Sequence, residues 1–247
     1  SVGIGYQISN NLYHNVDLEY VLKDYKVTNS STVSSTISNS SGSSISYLIK
    51  NNLRYSTLNR GFIAKTGNYI NFNNIIETPT SSNNGFVKNI VTIKKYISGN
   101  KSIYGIHGKL GNIFSLNNND ILTDDKFALG GRSLRGFDIY GAGSRNSRTS
   151  YIGGNNLVTL KLDYSYEITR QSDFPFYLNI FNDYGLVWDN KTKPTQSDNN
   201  IRSSVGFGIK YYSPVGPIGF TWGFPIMDEE YDIKRMFLFS VGNLDWS

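Results

Sequence analysis

The chain has 247 residues, enough for one large domain or two small ones, but only 38% are hydrophobic, which is lean for a large buried core. With no cysteine and only two histidines, His14 and His107, it has no means of forming disulfides, thiolate metal sites or a histidine-based metal centre, and no metal or cofactor is expected. The formal charge of +5 is spread without the Lys/Arg runs of a nucleic-acid interface, and no run approaches the ~18 to 20 apolar residues of a membrane-spanning helix.

Period-two alternation recurs along the chain, in runs bounded by Gly, Asn, Ser or Pro, and predicts an all-β fold. About eleven strands are expected, the first six being Gly3 to Ser9, Leu12 to Val27, Ile45 to Ser56, Gly67 to Glu77, Phe86 to Ser98 and Lys101 to Leu116. After a long interval follow Leu157 to Thr169, Phe174 to Asp189, Ile201 to Ser213, Ile218 to Phe224 and Arg235 to Val241. Short turns near Asn10, at Gly99-Asn100, at Gln171 to Asp173 and at Pro214 to Pro217 alternate with longer polar loops. Those loops run from Thr28 to Ser44, Thr78 to Gly85, Asn117 to Asn156 and Asn190 to Asn200. Short turns on one rim and long loops on the other fit an outer-membrane barrel.

The faces support the same architecture. Val158, Leu160, Leu162, Tyr164, Tyr166 and Ile168 oppose Thr159, Lys161, Asp163, Ser165 and Glu167, and Ile201, Val205, Phe207, Ile209 and Tyr211, broken only by Ser203, oppose Arg202, Ser204, Gly206, Gly208 and Lys210. A soluble β-sandwich also alternates. Two features favour the barrel: strands that reach the ~9 to 11 residues needed to cross a bilayer at a tilt, and Tyr20, Tyr184 and Trp188 near the ends of apolar faces, where an aromatic girdle would sit. An odd strand number would leave unpaired backbone in lipid, and the chain opens at Ser1 without methionine or signal peptide, so part of a larger barrel is expected.

The loop after Leu116 contains "FALGGRSLRGFDIYGAGSR", Phe127 to Arg145, rich in glycine and arginine. Phe127, Leu129, Leu134, Phe137, Ile139 and Tyr140 would leave much apolar surface in water, so the loop is expected to pack against the barrel interior. Within it "GGRSLRGF" resembles the lumen-loop motif of the BamA-type outer-membrane barrel assembly family and its translocase relatives. The matching positions are Gly130, Gly131, Leu134, Arg135, Gly136 and Phe137. Three further blocks keep that family's order: "GGNNLVTLKLDY" with Gly153, Gly154 and Asn155, "FNDYGLVWD" with Gly185, and "SPVGPIGFTWGFP" with Pro214, Gly216 and Pro217.

The resemblance implies the C-terminal portion of an antiparallel transmembrane β-barrel, about eleven of its sixteen strands, spanning residues 1–247 with a lumen loop at about 117–156. It implies that Arg135 pairs inside the lumen with Asp163 and Asp183, the first at a position where the family usually holds Glu. Strand alternation independently puts Asp163 on a polar face. It does the same for Asp183, although Phe181 and Val187 share that parity. A guanidinium offers five donors and can bridge two carboxylates at once.

The function implied is insertion and folding of β-barrel proteins in the bacterial outer membrane. The implied partners are unfolded outer-membrane protein clients, accessory assembly lipoproteins and the lipid bilayer. A translocase sibling of the TamA or two-partner secretion type and a passive porin remain as alternatives. No Ser-His-Asp arrangement can be assembled from two histidines, and the acidic runs Asp124-Asp125 and Asp228 to Glu230 lack calcium-loop spacing, so no enzymatic activity is expected.

Overall fold

The structure is a computed structural model and describes residues 1–25, 42–59, 63–80, 84–117, 120–147, 150–169, 175–190, 199–213 and 216–242. In chain order its strands are β1 (Val2–Ser9), β2 (Leu12–Tyr25), β3 (Gly42–Ser56), β4 (Gly67–Glu77), β5 (Phe86–Ser98) and β6 (Ser102–Ser115). Three short pieces follow, β7 (Gly136–Phe137), β8 (Arg145–Ser147) and β9 (Ser150–Tyr151). The chain then forms β10 (Asn156–Glu167), β11 (Phe176–Trp188), β12 (Arg202–Ser213), β13 (Gly216–Met227), β14 (Lys234–Arg235) and β15 (Phe237–Val241). Eleven of them build one sheet in the order β1-β2-β3-β4-β5-β6-β10-β11-β12-β13-β15, and every pairing in it is antiparallel. Each wall strand therefore pairs with its chain neighbours, as a meander of alternating sequence should. No pairing joins β1 to β15 among the described residues.

The alternation of the sequence is the alternation of the wall. Along β10, Leu157, Thr159, Lys161, Asp163 and Ser165 are buried while Val158, Leu160, Leu162 and Tyr166 are exposed. Tyr20, Tyr184, Phe207 and Ile180 likewise project from the outer face. A sheet with polar groups sheltered inside and large apolar groups outside is inverted relative to a water-soluble sandwich, and hydrocarbon is the solvent that suits it.

What core there is lies on the inner face. Phe127, Leu129, Leu134, Phe137 and Ala142 of the segment between β6 and β10 pack against Phe86, Ile113, Leu157 and Val187 of the wall. The long loop thus folds inward, as its apolar content predicts. Ile139 and Tyr140 are the exception, 62% and 55% exposed at a reversal where Tyr140 takes a left-handed φ of 58°.

The end of the chain departs from the expected strands. Arg235 is not part of the terminal wall strand: with Lys234 it forms β14, which pairs with Phe137 and Gly136 of the loop. The wall strand β13 runs on through Pro225 to Met227, and its register against β12 shifts at Ser203/Ser204, a bulge of the kind that accommodates proline. Pro217 lies within β13 opposite Tyr212 rather than in the turn, Pro214 falls outside the described residues, and so do Lys26 and Val27 of the expected second strand.

Candidate functional site

The inner wall of β10 and β11 carries two carboxylates at nearly one level. Lys161 pairs with Asp183 and Asp163 with Phe181, so Asp163 and Asp183 stand on neighbouring strands two register positions apart, on the same face. Arg135 reaches both from the loop. Its Nε donates to Asp183 Oδ2 at 2.7 Å and Nη2 to Asp183 Oδ1 at 2.5 Å. Nη1 donates to Asp163 Oδ1 at 2.9 Å and Nη2 to Asp163 Oδ2 at 3.3 Å. Its backbone N–H donates to Asp183 as well, at 3.1 Å. The aspartate at 163, a methylene shorter than glutamate, still presents both oxygens to the guanidinium.

Arg135 is 1% exposed and Asp183 0%. Burial alone would lower the guanidinium's pKa, but the adjoining Asp163 and Asp183 carboxylates outweigh it and hold Arg135 above its ordinary value. Beneath it lies Phe181, its ring centroid 3.6 Å from the guanidinium carbon. This explains why an apolar residue shares the polar parity of β11: the ring face receives a cation, not lipid. Asn179 donates to Asp163 Oδ1 at 3.2 Å, and Lys161 donates to the Arg132 carbonyl at 2.8 Å. Neither was singled out by motif, although both lie on the inner parity.

Glycine lets the loop get there. Gly130 has φ 123°, and a Cβ on it would fall 2.0 Å from the Asp138 carbonyl oxygen. Gly136, at φ 92°, lies against Gly223 of β13, where a Cβ on Gly223 would sit 2.6 Å from the Gly136 nitrogen. Leu134 and Phe137, on either side of Arg135 and Gly136, are buried anchors in the core. Gly131 N–H donates to the Phe137 carbonyl at 2.9 Å and closes the turn.

The supporting blocks divide into two groups. Gly154 pairs with Phe127, exchanging backbone bonds of 2.9 and 3.1 Å, while Gly153 abuts the Phe127 carbonyl and Asn155 receives the Ile113 N–H at 2.8 Å. These residues seat the start of the loop. Gly185 leaves room for Leu129, whose Cδ1 would be 2.6 Å from an added Cβ. Gly185→Val should therefore displace Leu129 and cost about 1 to 3 kcal/mol by overpacking, measurable as a lowered denaturation midpoint with unchanged slope. Gly216 and Pro217, by contrast, open β13 at the turn rim and are not brought to Arg135.

Further buried contacts hold the loop rim. Lys126 pairs with Asp189 at 2.7 Å, and Arg202 of β12 pairs with Asp232 at 2.5 Å through Nε. Arg145 donates to the Tyr140 carbonyl. Tyr151 accepts the Leu129 N–H at 3.2 Å and donates to the Phe127 carbonyl at 3.3 Å. The segment after β13 is stitched to the loop: Asp138 N–H donates to Ile233, and Ile233 N–H to Gly141, each at 2.8 Å. The adjoining ladder is β14 on β7.

A lipid-facing antiparallel meander whose polar interior is filled by an inward-folded loop, pinned by one arginine to two wall carboxylates, defines a β-barrel membrane protein with a lumenal plug loop. Residues 1–244 match the Omp85 superfamily domain, and the chain belongs to that superfamily. It is 27% identical over 190 residues to an outer membrane protein assembly factor BamA of Nitratidesulfovibrio vulgaris, a match covering 74% of this chain and 23% of that protein. It is 29% identical over 137 residues to a SAM50-like protein of Schizosaccharomyces pombe, covering 53% and 29% respectively. The chain thus spans about a quarter of the length of these curated relatives. The crystal structure of BamA from Haemophilus ducreyi lacking POTRA domains 1-3 superposes with a TM-score of 0.77 at 21% identity, covering 96% of this chain and 52% of that one.

Proposed function

We propose that this chain is the C-terminal portion of the barrel domain of an outer-membrane protein assembly factor, which inserts and folds other β-barrel proteins in the bacterial outer membrane. The observation that carries the reading is the joining of the lumen loop to the last hairpin. Before it enters β15 the chain pairs through Lys234 and Arg235 with Phe137 and Gly136 instead of with the wall, and it joins the wall only from Met236, whose carbonyl accepts from Gly223 of β13. Among the described residues the wall pairing of β13 with β15 sets Ile218–Trp222 against Phe237–Val241. A short terminal pairing held by an internal loop suits a protein that must admit a client strand at that edge, because strand addition needs backbone groups that can be freed. The names of the curated relatives support the same activity. Clients are unfolded outer-membrane proteins, with accessory lipoproteins as further partners, and the work is hydrogen-bond exchange and burial rather than covalent chemistry.

The test is reconstitution of the complete protein in liposomes with an unfolded client barrel. Client folding, read as heat-modifiable migration, is expected to accelerate severalfold over empty liposomes. Steady conductance without accelerated folding would make the protein a porin, and release of a soluble passenger across the bilayer would make it a translocase.

A further inference from the structure

Five asparagines stand in one row on the outer face of the wall. The register pairs Asn51 with Asn74, Asn74 with Asn89, Asn89 with Asn112, and Asn112 with Asn156, across β3, β4, β5, β6 and β10. Asn51 Nδ2 donates to Asn74 Oδ1 at 3.3 Å, Asn74 to Asn89 at 2.8 Å, and Asn112 to Asn156 at 2.8 Å. The row does not mark the polar rim. Two residues toward the loop rim lie Ile49, Ile76, Val87 and Phe114, and two residues the other way lie Leu53, Phe72, Val91, Leu110 and Val158. The amides are thus enclosed by apolar rows on both sides, where unpaired polar groups are expensive.

Side-chain amide stacking of this kind satisfies its members in series, but here the series is interrupted. The amide-to-amide bonds run from Asn51 to Asn89 and resume at Asn112; between Asn89 and Asn112, partners in the register, none is formed. Asn89 therefore accepts from Asn74 while its own NH₂ donates to no protein group among the described residues, although a side-chain amide has two N–H donors to place. Asn89 is three residues from the loop-rim end of β5 and Asn112 three from that of β6, about 10 Å of strand at ~3.3 Å per residue. That is the shallow side of the apolar band. None of the flanking rows carries a charged side chain.

We propose that the Asn89–Asn112 gap is a lipid-binding site in which the Asn89 NH₂ donates to an ester carbonyl of a membrane lipid, with the acyl chains lying along Val91 and Leu110. A neutral donor in an uncharged, apolar surround selects a neutral acceptor buried below the headgroup. It does not select a phosphate or a carboxylate, which would demand a cation. The inference rests on the wall being lipid-facing and is independent of assembly activity.

The full-length protein is purified into mixed micelles with dimyristoyl phosphatidylcholine or with its ether-linked analogue, which lacks the ester carbonyl. Lipid retained after mild delipidation is then counted by native mass spectrometry. The ester lipid is expected to be retained about fivefold more tightly, the ratio one net hydrogen bond gives, and Asn89→Leu to abolish the difference while heat-modifiable folding persists. Equal retention of both lipids by the unmodified protein would overturn the proposal, and that comparison does not depend on the variant folding. So would a preference that survives Asn89→Leu, or recovery of a lipid-free dimer, which would assign the gap to a second copy of the chain.

Discussion

Arg135→Glu in the complete protein is expected to abolish heat-modifiable folding of the barrel and, with it, client assembly in cells depleted of the native copy. The substitution removes four side-chain hydrogen bonds to Asp163 and Asp183 and places a third carboxylate against two that are already buried. Breaking a buried charge pair from one side costs about 3 to 5 kcal/mol, because the partner is left uncompensated, and a new like charge adds to that. A domain with a margin of roughly 5 to 15 kcal/mol cannot absorb such a loss easily. Asp183→Arg added to Arg135→Glu should recover part of the folded fraction, since it restores an opposite pair across the same gap. Recovery will be incomplete, because the backbone N–H of residue 135 loses its carboxylate acceptor and the bidentate geometry is not reproduced. If the single variant folds and complements like the parent protein, the cluster has neither structural nor functional weight.

The wall was legible because each face of a barrel strand meets a different solvent, so the sequence must alternate; β10 alternates apolar and polar residues from Val158 to Tyr166. Parity also assigned Asp163 and Asp183 to the inner face, where they stand. It could not say why Phe181 and Val187 share that face, since the reason is a contact between segments far apart in sequence: Phe181 lies under Arg135, and Val187 packs in the loop core. The same holds for β14. Arg235 reads as the start of a terminal strand by local pattern, but it and Lys234 pair with Gly136 and Phe137, roughly a hundred residues away, and no local periodicity encodes such a pairing. The strand expected to end at Phe224 runs on through Pro225 to Met227, because a proline is tolerated at the bulge beside Ser203 and Ser204.

Replacement of Gly223, which lies in the block "GFTWGFP", should be almost as damaging as that of Arg135. A Cβ at this position would lie 2.6 Å from the nitrogen of Gly136, 2.9 Å from its Cα and 3.0 Å from the carbonyl carbon of Arg135, all of them backbone atoms that no side-chain rotation can move aside. Gly223→Val must therefore push residues 135 to 137 off β13. Steric overpacking costs about 1 to 3 kcal/mol in itself, and the displacement also strains the Arg135 contacts and the β7–β14 ladder, which share the same three residues. The amides of Asp138 and Ile233, which bridge the loop and the last connection, should then exchange with solvent orders of magnitude faster. Gly108→Ala is the matched control, since nothing lies within 4 Å of its added Cβ, and it should change stability by no more than about 0.5 kcal/mol. Because both substitutions dismantle one interlocked unit, Gly223→Val combined with Arg135→Ala should cost clearly less than the two separate losses added together. Simple additivity would mean that the loop's hold on the terminal hairpin and its hold on the wall carboxylates are separate, and the two would then have to be explained as independent anchors.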